Sequence, residues 1–82
     1  MDKRSLSIAG HRTSIALEPE FWAALDAMAA ETGKPMASLV RDIDESRDTA
    51  NLSSAMRLAV LRWYQQKLAR TASGLPLGQP AD

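Results

Sequence analysis

Thr13-Ser14-Ile15-Ala16-Leu17-Glu18-Pro19-Glu20-Phe21-Trp22 reads as a short strand running directly into a helix. Arg12, Ser14 and Ala16 share one face of the strand, and Thr13, Ile15 and Leu17 share the other, so one side is apolar. Pro19 suits the first position of a helix, where its missing N–H would be unpaired in any case. Glu18 and Glu20 lie at the positive end of that helix's dipole. Phe21, Trp22, Leu25, Met28 and Ala29 follow at helical spacing, and Gly33 supplies a residue that takes positive φ at no steric cost and ends the helix.

Upstream, the alternation changes phase. Leu6 and Ile8 fall on even positions and Ile15 and Leu17 on odd ones, so Ala9-Gly10-His11 is a bulge or turn that resets the apolar face. Downstream only helical patterns occur. One begins after Pro35, with Met36, Leu39, Val40 and Ile43 as its stripe, and frays in the polar run Asp44-Glu45-Ser46-Arg47-Asp48-Thr49. Another begins near Asn51, a good N-cap residue, with Leu52, Met56, Ala59, Val60, Trp63 and Leu68 on one face and bases on the other. The segment after Arg70 is rich in Gly, Pro and Ser, a composition that favours disorder. The expected organisation is an N-terminal arm over 1–11, a domain over 12–70 and a disordered tail over 71–82.

The chain has 82 residues, enough for one domain, and a core this small often borrows surface from a second subunit. It has no cysteine and one histidine, so no disulfide, thiolate metal site or bound cofactor is expected. No segment has the pattern of a signal peptide or the length of a membrane span, and a cytoplasmic protein is expected. Ten bases balance ten acids, but the charge is segregated. Residues 18–32 carry four acids and no base, and residues 51–70 carry four bases and no acid. Ser53-Ser54 reads as helix-start capping, and Asp42, Asp44 and Glu45 stand on a polar helix end with no histidine beside them. No nucleophile, base and orienting group converge, so no enzyme is expected.

The strand's backbone N–H and C=O groups need partners. Either Ser5–Ile8 folds back around Gly10 as a hairpin, or the strand pairs with its copy in a second chain. Gly-His-Arg-Thr-Ser at 10–14, Leu-Glu-Pro-Glu-Phe-Trp at 17–22 and Asn-Leu-Ser-Ser-Ala-Met-Arg at 51–57 resemble the Arc/MetJ-type ribbon-helix-helix superfamily, and within it a bacterial subgroup of small stand-alone proteins. The resemblance implies a mostly α fold with one N-terminal β-strand. It implies an intertwined homodimer with an intersubunit antiparallel β-ribbon and, here, an extra C-terminal helix. Its dimer core would hold Ile15, Leu17, Phe21, Leu25, Leu39, Ile43 and Met56.

In that superfamily the ribbon enters the major groove of double-stranded DNA. By position, Arg12, Ser14 and Ala16 would read bases. Phosphates would be met by Lys3 and Arg4 on the arm, and by Lys34 and Met36 where a helix starts. Two features depart from the pattern. Pro35 stands where Ser or Thr is usual, and two helical stretches, 36–47 and 51–68, compete for the role of second helix. The implied function is that of a sequence-specific DNA-binding homodimer and transcriptional regulator. The alternative is a protein-interaction module of the same fold, antitoxin-like or otherwise partner-binding.

Overall fold

The computed structural model describes residues 1–74. Strands β1 (Asp2–Ile8) and β2 (His11–Leu17) are followed by helices α1 (Pro19–Thr32), α2 (Met36–Ser46) and α3 (Leu52–Gly74). The strands pair antiparallel in a two-stranded sheet, with Ile8 opposite His11, Ser5 opposite Ser14 and Asp2 opposite Leu17. Ala9 and Gly10 turn the chain with φ of 53° and 83°. Positive φ at both central residues is the signature of a type I′ turn, whose twist matches that of the flanking strands.

Residues 2–8 are therefore a strand and not a free arm, and β2 finds its first partner within its own chain. Two strands alone are marginal, but this hairpin lies on the helices. Ile8, Ile15 and Leu17 join the core, with Leu6 packed against it. The Trp22 indole N–H donates to the Asp2 carbonyl at 2.8 Å, and Arg4 forms a two-pronged pair with Asp26. These contacts tie the N-terminal end of β1 to α1, and β1 also packs against α2.

The turn holds one strained residue. An L-residue in the left-handed region costs roughly 1–2 kcal/mol, which Ala9 bears and asparagine relieves by local hydrogen bonding. Ala9→Asn should raise stability by about 0.5–1 kcal/mol, seen as an upward shift of the thermal midpoint. A fall in the midpoint would contradict the positive-φ turn.

Helix boundaries follow local chemistry. Gly33, φ 70°, closes α1 in a Schellman arrangement: its N–H reaches the Ala30 carbonyl, and the Lys34 N–H reaches that of Ala29. The Asn51 carboxamide oxygen accepts from the Ser54 N–H at 3.2 Å and opens α3. α3 continues through Thr71–Gly74, residues expected in the tail; 75–82 lie outside the described residues.

The core draws on every element, and Leu17, Trp22, Leu25, Val40 and Met56 are its most enclosed members. Of the residues expected in a dimer core, Ile15, Leu17, Leu25, Leu39, Ile43 and Met56 are buried within one chain, and Phe21 is half-buried against them. The hairpin and α3 together cover the faces of α1 and α2, which is why one protomer closes this core by itself. α2 follows α1 directly in the chain and α3 is a further helix packed on both.

Candidate nucleic-acid interface

The hairpin register assigns every side chain of the ribbon to a face. A two-residue turn moves the inward positions from even numbers in β1 to odd numbers in β2. Arg4, Leu6 and Ile8 thus share the inner face with Thr13, Ile15 and Leu17. The outer face carries Lys3, Ser5 and Ser7 from β1 and Arg12, Ser14 and Ala16 from β2. All of these are exposed except Ala16, which is half-buried. The face holds two cations, three hydroxyls, a methyl group and no acid. At its centre the Ser5 and Ser14 hydroxyls meet across the strands at 3.2 Å.

The edge of β2 is also available. The turn makes Ile8 and His11 a hydrogen-bonded pair, so by alternation Arg12, Ser14 and Ala16 direct their backbone N–H and C=O groups away from β1. The Ala16 carbonyl accepts from the Ser53 hydroxyl of α3 at 3.5 Å, consistent with that direction. Among the described residues the remaining edge groups at Arg12 and Ser14 have no hydrogen-bond partner within the chain.

Most other charges are matched internally. Arg57 grips the Glu18 carboxylate, Lys67 reaches Glu31, Arg4 pairs with Asp26, Arg47 with Asp44 and Lys34 with Asp42. The acids of residues 18–32 and the bases of 51–70 thus partly neutralise each other where α1 meets α3. Three of these cations also lie over aromatic rings: Arg4 over Trp22 at 4.5 Å, Arg57 over Phe21 at 5.8 Å and Lys67 over Trp63 at 4.5 Å. Every pair is partly exposed, so it orients side chains more than it stabilises the fold.

The pairs shift titration. The hydrogen bond from Arg4 holds the Asp26 carboxyl below the ordinary carboxylate range, and Asp26 raises the Arg4 guanidinium in return. A backbone hydrogen bond and then Arg57 lower Glu18, and Lys34 lowers Asp42.

Two of the expected phosphate contacts are therefore engaged elsewhere. Arg4 lies on the inner face, clasped between Asp26 and Trp22 and aimed away from the ribbon's outer surface. Lys34 has its charge met by Asp42 at the start of α2. Met36 opens α2 with its side chain half-buried against the core, and Pro35 before it supplies no side-chain cap. Lys3, Arg12, Ser14 and Ala16 stand together on the outer face. Ser5 and Ser7 stand with them, although reading residues 1–11 as an arm concealed them. The phase change between Leu6-Ile8 and Ile15-Leu17 was the signal for both, because a turn with an even number of residues, here two, brings those pairs to one face.

A family model for the ribbon-helix-helix domain matches residues 1–64, from β1 through most of α3. The chain belongs to the ribbon-helix-helix domain family. Ribbon-helix-helix domains are generally DNA-binding or regulatory, form homodimers in the typical case and are not typically enzymes. Comparison with curated proteins and with solved structures returned no match. Among the described residues, no cluster of acids and His is placed to hold a metal ion in this ribbon-helix-helix protein, and no helix is long and apolar enough to cross a membrane.

Proposed function

We propose that this ribbon-helix-helix protein is a cytoplasmic, homodimeric, sequence-specific DNA-binding regulator of transcription. In this reading the edge of β2 pairs antiparallel with its copy, giving the order β1-β2-β2-β1 across two chains, and the outer face of the central pair enters the major groove. The observation that carries the reading is the acid-free outer face of the ribbon, on a chain in which five of the other eight bases are paired with acids. Arg12 has the fork that donates two hydrogen bonds to guanine, Ser14 adds a hydroxyl and Ala16 a surface for a thymine methyl. Lys3 supplies a phosphate contact. The zero net charge is compatible with this role, because placement and not the sum determines the local field.

Ser14→Pro tests the assembly. Proline removes the N–H that points to the free edge, and with it the hydroxyl that meets Ser5, but leaves the backbone pairing with β1 and the apolar inner face in place. The variant should sediment as a monomer and keep its helical circular dichroism, while the parent sediments as a dimer at micromolar concentration. A dimeric Ser14→Pro protein, or a monomeric parent, would contradict pairing through β2. Ile15 is a poor site for this test, because at 3% exposure within one chain its replacement by a charge unfolds the protomer itself.

A second reading, a protein-interaction module, has one observation in its favour. Leu58, Leu61, Tyr64 and Leu68 are 38–70% exposed along the side of α3 that faces away from the core. An apolar partner surface gives binding with a shallow salt dependence, and phosphate contacts give a steep one.

A further inference from the structure

We propose that β1 is a phosphate-gripping flank, in which Lys3, Ser5 and Ser7 follow successive phosphates of one DNA strand beside the groove that β2 enters. This rests on the dimeric, major-groove reading above and adds a site to it.

The geometry comes from strand spacing. Neighbouring strands lie about 4.8 Å apart, so in a β1-β2-β2-β1 sheet the β2 axes are about 2.4 Å from the twofold and the β1 axes about 7 Å. The major groove is about 12 Å wide, which puts its walls about 6 Å from the midline. A sheet centred on the groove thus sets β2 over the base edges and β1 over the sugar–phosphate ridge. Outward side chains two residues apart on a strand stand about 7 Å from one another, a spacing commensurate with that of successive phosphates.

The chemistry of the two rows differs in the same sense. β1 presents an ammonium and two hydroxyls, groups that donate to phosphate oxygens and carry little base preference. Ser5 and Ser7 are short, which lets the β1 backbone approach the ridge while the longer Arg12 reaches down between the walls. All three β1 residues are exposed, and neither Lys3 nor Ser7 has a side-chain partner among the described residues. The start of α2 is less suited to the task, since Asp42 already meets Lys34 and Pro35 offers neither hydroxyl nor N–H.

The test is fluorescence anisotropy of the full-length dimer on a labelled mixed-sequence duplex and on a duplex selected from genomic fragments, over a series of salt concentrations. Lys3→Gln should lower the slope of log K against log salt by about 0.9 for each phosphate that the lysine no longer neutralises. Ser7→Ala removes a donor to phosphate without placing a charge opposite Arg12, and should weaken both duplexes by the same factor, about tenfold for the two copies in the dimer, leaving their ratio unchanged. Lys34→Gln should leave the slope as in the parent. Circular dichroism should match the parent for all three, because none of these side chains joins the core. A parent that binds both duplexes, with Lys3→Gln at the parental slope and Ser7→Ala within about twofold of the parent, overturns the β1 flank and leaves DNA binding intact. A Ser7→Ala loss confined to the selected duplex overturns it too. Failure of the parent to bind either duplex at low salt overturns the DNA-binding reading along with it.

Discussion

Replacing Trp22 with alanine should cost about 3–5 kcal/mol, a loss comparable with the whole stability of a small domain. The side chain is 1% exposed, and its ring is shared by three parts of the fold. It lies in the cluster with Leu17 and Leu25, its N–H is held by the Asp2 carbonyl at 2.8 Å, and Arg4 covers its face at 4.5 Å. Alanine therefore leaves a cavity, an unpaired carbonyl and a guanidinium without its ring, and it leaves the exposed Arg4–Asp26 pair as the remaining tie between the start of β1 and α1. The thermal midpoint should fall by on the order of 20 °C. Trp63→Ala is the comparison: that ring is half-buried at the margin of the core and should cost markedly less. A Trp22→Ala loss below about 1 kcal/mol would contradict the docking of the hairpin on α1.

The second large effect is expected at Arg12. Its side chain is exposed on the outer face of β2 with no acid beside it, and the twofold of the proposed dimer brings two copies into one groove. A bidentate contact to guanine contributes about 1–3 kcal/mol of discrimination, so Arg12→Ala should forfeit about that much at each of two symmetric positions. Affinity for mixed-sequence DNA should fall much less, because it depends on phosphates that the β1 row and other bases still meet. Folding should be unaffected, since the inner face carrying Ile15 and Leu17 is untouched.

The helical half of the fold was legible because its signals are local. Pro19 opens α1, Gly33 ends it with positive φ, and Asn51 caps α3. Each acts within a few residues, and the structure places each where its chemistry requires. The hairpin was only half legible. The phase change at Ala9-Gly10 was visible, but its meaning depends on whether Leu6 and Ile8 find an apolar surface, and that surface is assembled from distant helices. Ala9 disguised the turn further, because an alanine rarely adopts the conformation that a type I′ turn demands. The same non-local dependence explains the charges. Nothing near Arg4 indicates that its partner is Asp26, or that Glu18 and Glu31 will meet Arg57 and Lys67 on a helix packed alongside. Lys3 and Arg4 look equivalent in sequence, and a single step along β1 sends one to the outer face and the other to the core side.

The central claim is that this ribbon-helix-helix protein recognises DNA sequence through the outer face of its β-ribbon. The most direct measurement is the ratio of affinities for the selected duplex and for mixed-sequence DNA, taken at one salt concentration for the parent and for Arg12→Ala, with both confirmed as folded dimers by sedimentation. The account predicts a ratio far above one for the parent that collapses in Arg12→Ala, while affinity for mixed-sequence DNA changes little. A ratio that is unchanged in a folded Arg12→Ala dimer would contradict base reading by the ribbon and would direct attention to the basic, apolar-striped surface of α3.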